Sequence, residues 1–96
     1  MVATTIEKDG EILWIGAFEM PPQLNAVTEA LRADAQKSRD YAHLLDRNPD
    51  GRQDFRCNNK ELATDCREYA SNMLNLAISV ITNPTQFQII SRETTR

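Results

Sequence analysis

The chain has 96 residues and a net charge of −3, with 41% hydrophobic and 26% charged residues. This composition is typical of a folded globular protein, and the length accommodates a single domain. The acidic balance disfavours broad binding to nucleic acid or to anionic membrane, since both require a basic surface. We therefore expect neither as a partner.

The N-terminal segment MVATTIEKDGE has neither the basic nor the apolar region of a secretory signal peptide. The longest apolar run, Ile12 to Ile15, is far too short to span a bilayer. The two cysteines, Cys57 and Cys66, have a spacing that matches no common metal or redox motif. These features predict a cytoplasmic protein with two reduced thiols and no metal or other cofactor.

The first expected element is a β-hairpin over residues 2–18. The sequence Lys8-Asp9-Gly10-Glu11 favours a two-residue type I′ turn, because Asp-Gly tolerates the positive φ angles that this turn requires. A regular ladder from that turn pairs Ile6 with Leu13. It also gives the second strand apolar residues on both of its faces.

The regular ladder places Ile12, Trp14 and Phe18 on the face opposite Ile6. If helices cover the Ile6 side, these three residues form an exposed patch with the composition of an interface hot spot. The alternative is that helices cover the Trp14 side, in which case Trp14 belongs to the core.

Two helices are expected next, over residues 22–47 and 58–82. Asn48-Pro49-Asp50-Gly51 ends the first helix and favours a tight connection, which makes the two helices antiparallel neighbours. Asn58 and Glu61 have the spacing of a capping box at the start of the second. The first helix has an apolar stripe at three- and four-residue steps: Leu24, Val27, Leu31, Ala35, Ser38, Ala42 and Leu45.

The second helix has more apolar surface than one face needs. Its predicted seam follows a regular 4-3-4-3-4 spacing: Leu62, Cys66, Tyr69, Met73, Leu76 and Val80. Leu74, Ile78 and Ile81 lie outside that seam. A helix that is apolar on several faces must be covered on several faces, which predicts a homodimer or higher oligomer, or a partner protein.

A short third strand is expected over residues 86–90, followed by a frayed tail over 91–96. The predicted fold class is therefore α+β with the order ββααβ: an N-terminal β-hairpin, an antiparallel two-helix hairpin and a short C-terminal strand in one domain.

Several polar groups are candidate sites. Arg39, Arg47, Arg52 and Arg67 are candidates for binding a phosphate-like anion, although acidic residues are interleaved with them and a solvated face explains the same pattern. The carboxylates Glu61, Asp65 and Glu68 suit the start of a helix, where the macrodipole favours negative charge, as well as a cation site. His43 has no evident nucleophile beside it, so no catalytic residue is predicted.

Two classes of function remain. The first is a non-enzymatic interaction protein that self-associates and docks on a larger protein as a subunit, adaptor or inhibitor. The second is a protein that binds or sequesters a small anionic or nucleotide-like ligand through arginines at an oligomer interface. Surplus apolar surface favours the first class.

Overall fold

The structure is a computed structural model that describes residues 1–53 and 56–94. Its elements in chain order are strands β1 (Val2–Lys8) and β2 (Glu11–Phe18), helices α1 (Leu24–Asp46) and α2 (Asn59–Thr82), a 3-10 turn (Pro84–Gln86) and strand β3 (Gln88–Glu93). The strands form one antiparallel sheet in the order β2-β1-β3. The predicted ββααβ, α+β fold is confirmed.

The predicted type I′ turn is also present. Asp9 and Gly10 have φ angles of 53° and 81°, so both central residues lie in the left-handed region that this turn needs. Lys8 pairs with Glu11 across the turn, as predicted.

Beyond the turn the predicted register is wrong, because β2 contains a bulge. The pairing shifts between Ile6 and Glu7: Glu7 lies opposite Ile12, whereas Ile6 lies opposite Trp14, and Leu13 is the extra residue. A shift of one residue moves every following side chain to the other face of the sheet. Trp14 therefore lies on the same face as Ile6.

This inner face of the sheet is the buried one. Val2, Thr4 and Ile6 are fully buried on β1, and Trp14 is only 7% exposed on β2. The Trp14 ring lies over Gly16, and it meets Phe18 edge-on with 6.3 Å between the ring centroids. Trp14 and Phe18 are thus packed as an aromatic pair against the core and are not the exposed patch that the regular ladder predicted.

The C-terminal strand differs from the prediction. It begins at Gln88 because Pro84–Gln86 forms a 3-10 turn, and it extends to Glu93, with residues 91–93 pairing with residues 2–4 of β1. Thr94 extends the pairing with the N-terminus by one residue. Its N–H and its hydroxyl both donate to the Met1 carbonyl, at 3.1 and 2.8 Å. The predicted frayed tail is therefore wrong as far as Thr94, and residues 95–96 lie outside the described part of the chain.

The chain forms two compact units. The sheet unit comprises residues 1–30 and the chain from 77 onward, so it includes the first turns of α1 and the last turns of α2. Those helix ends contribute Val27, Ala77 and Val80 to the core of the sheet unit. The helical unit comprises residues 31–76. That the chain folds as a single domain remains a prediction.

The helical unit is an antiparallel hairpin with small residues at its contact. Ala42 and Leu45 of α1 pack with Ala63 of α2, and Leu62 and Cys66 border this cluster. The buried stripe of α1 is the predicted one through Leu31, Ala35, Ala42 and Leu45. The predicted seam of α2 is correct at Met73 and Val80, which are buried. It is wrong at Tyr69, which is exposed, whereas the alanines Ala63 and Ala70 are buried.

The connection between the helices is fixed by amide groups. Asn59 is buried and donates from Nδ2 to the Asn48 carbonyl at 2.8 Å, and its N–H donates to the Gly51 carbonyl at 2.7 Å. The predicted capping box is present, since the Glu61 N–H donates to Asn58 Oδ1 at 2.9 Å and the Asn58 N–H donates to Glu61 Oε1 at 3.3 Å.

Gly16→Ala should destabilise the protein by about 1–3 kcal/mol, because a Cβ at this position would lie 2.7 Å from Cζ3 of the buried Trp14 ring. Thermal unfolding followed by circular dichroism measures the effect. Ala17→Ser, at the adjacent exposed position, is the control and should leave the melting temperature nearly unchanged. Equal melting temperatures for the two variants would contradict the placement of Trp14 over Gly16.

Leu45→Ala should cost about 2–5 kcal/mol, because this side chain is 3% exposed and packs in one buried cluster with Ala42 and Ala63. The neighbouring Leu44 is 57% exposed, so Leu44→Ala is a matched control with the same chemical change. Urea unfolding curves compare the two variants. Similar midpoints would show that Leu45 is not part of the helical contact.

Candidate protein interface

The outer face of the sheet is the surface that the bulge leaves apolar. Three cross-strand rows, written in the order β2, β1, β3, make up this face: Ile12, Glu7 and Gln88; Ile15, Thr5 and Ile90; Ala17, Ala3 and Arg92. The outer face, as defined by these nine residues, has a central row of Ile-Thr-Ile.

Two large side chains on the outer face are largely in contact with solvent. Ile15 is 63% exposed and Ile12 is 53% exposed, and Ile90 in the central row is half-buried. Isoleucine is among the residues most often fully buried in proteins, so two exposed isoleucines on one face are informative. Ala3 and Ala17 add further apolar area without a charged group.

The charged groups of the outer face lie at its ends. Glu7 lies at the end near the hairpin turn, where its Oε2 accepts a hydrogen bond from the Thr5 hydroxyl at 2.9 Å. Arg92 lies at the opposite end, in the row of Ala3. The outer face therefore has an apolar centre, with a negative charge at one end and a positive charge at the other.

The interface residues predicted from the sequence are divided by the structure. Ile12 is exposed on the outer face, whereas Trp14 and Phe18 lie on the inner face because of the bulge. Ile78 and Ile81 are exposed on α2 within the sheet unit. Leu74, in the helical unit, is half-buried.

The regular ladder missed Ile15 as a member of the exposed face. A signal was present in the sequence: Ile12-Leu13-Trp14-Ile15 is a run of four apolar residues, which a strictly alternating ladder with one wet face does not produce. Such a run is consistent with a bulge that changes the face in the middle of a strand.

The arginines proposed for anion binding lie in different surroundings. Arg67 forms an ion pair with Asp46, which occupies one side of its guanidinium. Arg39 is exposed on α1, and Arg47 is exposed in the turn that follows the helix, about 12 Å further along if the helical rise continued. Arg52, in the connection, has an interaction of its own within the chain.

The remaining candidate groups are a cysteine, a histidine and carboxylates. Burial and the neighbouring Asp65 raise the pKa of the Cys66 thiol, which disfavours the nucleophilic thiolate. His43 is exposed on α1. Among residues 1–53 and 56–94, no group of three or more His, Cys, Asp or Glu side chains is arranged to hold a metal ion.

No protein-family model, curated protein or solved structure matches this chain. None of the described helices combines the length and the apolar character needed to cross a membrane. The proposal for function therefore depends on the geometry of the chain itself.

Tyr69 should ionise late, with a pKa raised to about 12 by partial burial and by the hydrogen bond of 2.7 Å that its hydroxyl donates to Asp34. The neutral phenol stabilises the fold, so its contribution is complete below the ordinary pKa of 10.0 and is lost as the pH rises towards 12. Titration followed by absorbance should show a phenolate step at high pH, and Tyr69→Phe should remove that step. Asp34→Asn should bring that step to lower pH, and an unchanged step would contradict the contact.

Proposed function

We propose that this protein is a small non-enzymatic interaction module that acts by docking the outer face of its sheet on another polypeptide chain. The observation that carries the proposal is the pair of exposed isoleucines, Ile12 and Ile15, at the apolar centre of that face. A subunit, adaptor or inhibitor of a larger protein would use such a surface.

Leaving the outer face in contact with water costs free energy. Complete burial of an exposed isoleucine side chain contributes about 1.5–3 kcal/mol, so Ile12 and Ile15 together supply a substantial driving force for association. Both side chains are on a β-strand with restricted χ1, so little conformational entropy is lost when they are covered. The aligned small residues Ala3 and Ala17 allow a partner to approach closely.

The apolar character of the surface also favours protein over a small anion. An arginine-held phosphate would be released by salt, whereas an apolar protein interface tolerates salt. The outer face has one arginine, Arg92, at its end. The small-ligand alternative depends on Arg39, Arg47, Arg52 and Arg67. Because Arg67 forms an ion pair with Asp46, part of its guanidinium is already occupied and is less able to bind an anion.

Ile15→Lys should abolish partner binding while leaving the fold intact, because the side chain is exposed and the lysine can remain solvated. The measurement is affinity capture from a cell extract with the wild-type chain and each variant as bait, at moderate and at high salt. Leu44→Lys is the matched control, since Leu44 is similarly exposed but lies on α1 in the helical unit.

The expected result is a polypeptide retained by the wild type and by Leu44→Lys but absent with Ile15→Lys, and retained at high salt. Circular dichroism verifies that both variants are folded. If the two lysine variants capture the same polypeptides, or if capture is lost in salt, the outer face is not the docking surface.

A further inference from the structure

The arrangement of side chains on the outer face indicates what covers it. We propose that the partner is a second copy of this chain, stacked face to face about a two-fold axis that runs across the strands, along the row Ile15, Thr5 and Ile90. This inference rests on the proposed function, because it names the occupant of the same surface.

The row structure of the outer face has the symmetry that such a stack requires. Thr5 lies at the middle of the face, with Glu7 two residues to one side of it and Ala3 two residues to the other. A two-fold axis along the central row superposes that row on itself in the second copy. The same operation places the row of Ile12, Glu7 and Gln88 over the row of Ala17, Ala3 and Arg92.

Opposite charges meet in this arrangement. Glu7 of one copy lies over Ala3 of the other, and Arg92 is the next residue across from Ala3, about 4.8 Å away in the hydrogen-bonding direction. Stacked sheets are separated by about 10 Å, a gap that the long Arg92 and Glu7 side chains can bridge together. The symmetry forms this Glu7–Arg92 pair twice in each dimer.

The side-chain sizes are complementary as well. Ile12 of one copy lies over Ala17 of the other, so the exposed isoleucine faces a position with room for it. In the central row, Ile15 meets Ile15 and Ile90 meets Ile90, which buries the most exposed apolar group of the face against an identical group.

The charges also favour this two-fold axis over the other axis that would stack the two sheets face to face. A two-fold axis parallel to the strands and centred on β1 would superpose each row on itself. Glu7 of one copy would then face Glu7 of the other, and like charges brought together at an interface are strongly unfavourable. An unrelated partner would need none of this self-complementarity.

The experiment exchanges the two charges and measures the mass in solution by sedimentation in the micromolar range. The wild type should form a species of twice the 10.9 kDa chain mass. Glu7→Arg alone and Arg92→Glu alone should each raise the dimer dissociation constant about tenfold or more, because each creates two like-charge contacts. An equimolar mixture of the two variants should form a heterodimer, and the double variant Glu7→Arg/Arg92→Glu should form a homodimer again.

Glu7→Gln and Arg92→Gln provide a second pair, because they remove charge without reversing it and the glutamine at position 7 still accepts the Thr5 hydrogen bond. They should weaken the dimer less than the reversals do. Circular dichroism of each variant separates loss of association from loss of folding.

A monomeric wild type would overturn the proposal, and so would a dimer that is insensitive to charge reversal or is not restored by mixing. If the wild type is monomeric and Ile15-dependent capture of another polypeptide persists, only the identity of the occupant is wrong and the docking function stands. If Ile15→Lys changes neither capture nor sedimentation, both proposals fail.

Discussion

Leu13, the extra residue of β2, determines which side of the sheet is buried. On the turn side of the bulge, the ladder from the Asp9-Gly10 turn places Ile12 with Glu7 on the outer face. Beyond the bulge, the shift by one residue turns Trp14 to the inner face with Ile6. Burying a tryptophan removes far more apolar area from water than burying an isoleucine does, so the core gains when the bulge forms. Gly16 completes this arrangement, since any side chain there would occupy the space of the indole ring.

In the helical unit, small side chains determine how closely the two helices pack. Ala42 and Ala63 lie in the same buried cluster, so the two helix backbones approach closely and Leu45 supplies most of the bulk. A contact made largely of alanine contributes less hydrophobic stabilisation per residue than one made of leucine. Polar contacts fix its geometry along the edges, through Tyr69 with Asp34 and through the capping amides at the connection.

The sequence was sufficient wherever the structure depends on local chemistry. The type I′ turn, the capping box of α2 and the stripe of α1 follow from residues close together in the chain. The apolar run over residues 12–15 is consistent with a bulge but does not determine it, because the choice between two registers depends on what packs against the sheet. The predicted seam of α2 was correct at Met73 and Val80 but wrong at Tyr69, because the pattern gave more weight to large side chains than to the buried Ala63 and Ala70. The end of β3 was missed because Ser91, Arg92 and Glu93 pair through their backbone and show no apolar pattern.

The edges of the sheet are poorly suited to pairing with another strand, which favours its outer face over its edges for the association that we propose. The bulge interrupts the ladder of the edge strand β2, and the other edge strand, β3, ends in Arg92 and Glu93; both features discourage pairing with another strand. The bulge that turns Trp14 inward also leaves Ile12 and Ile15 outside. A register without the bulge would bury Ile15 and expose Trp14. The register that completes the core therefore also creates the apolar surface on which the proposed docking depends.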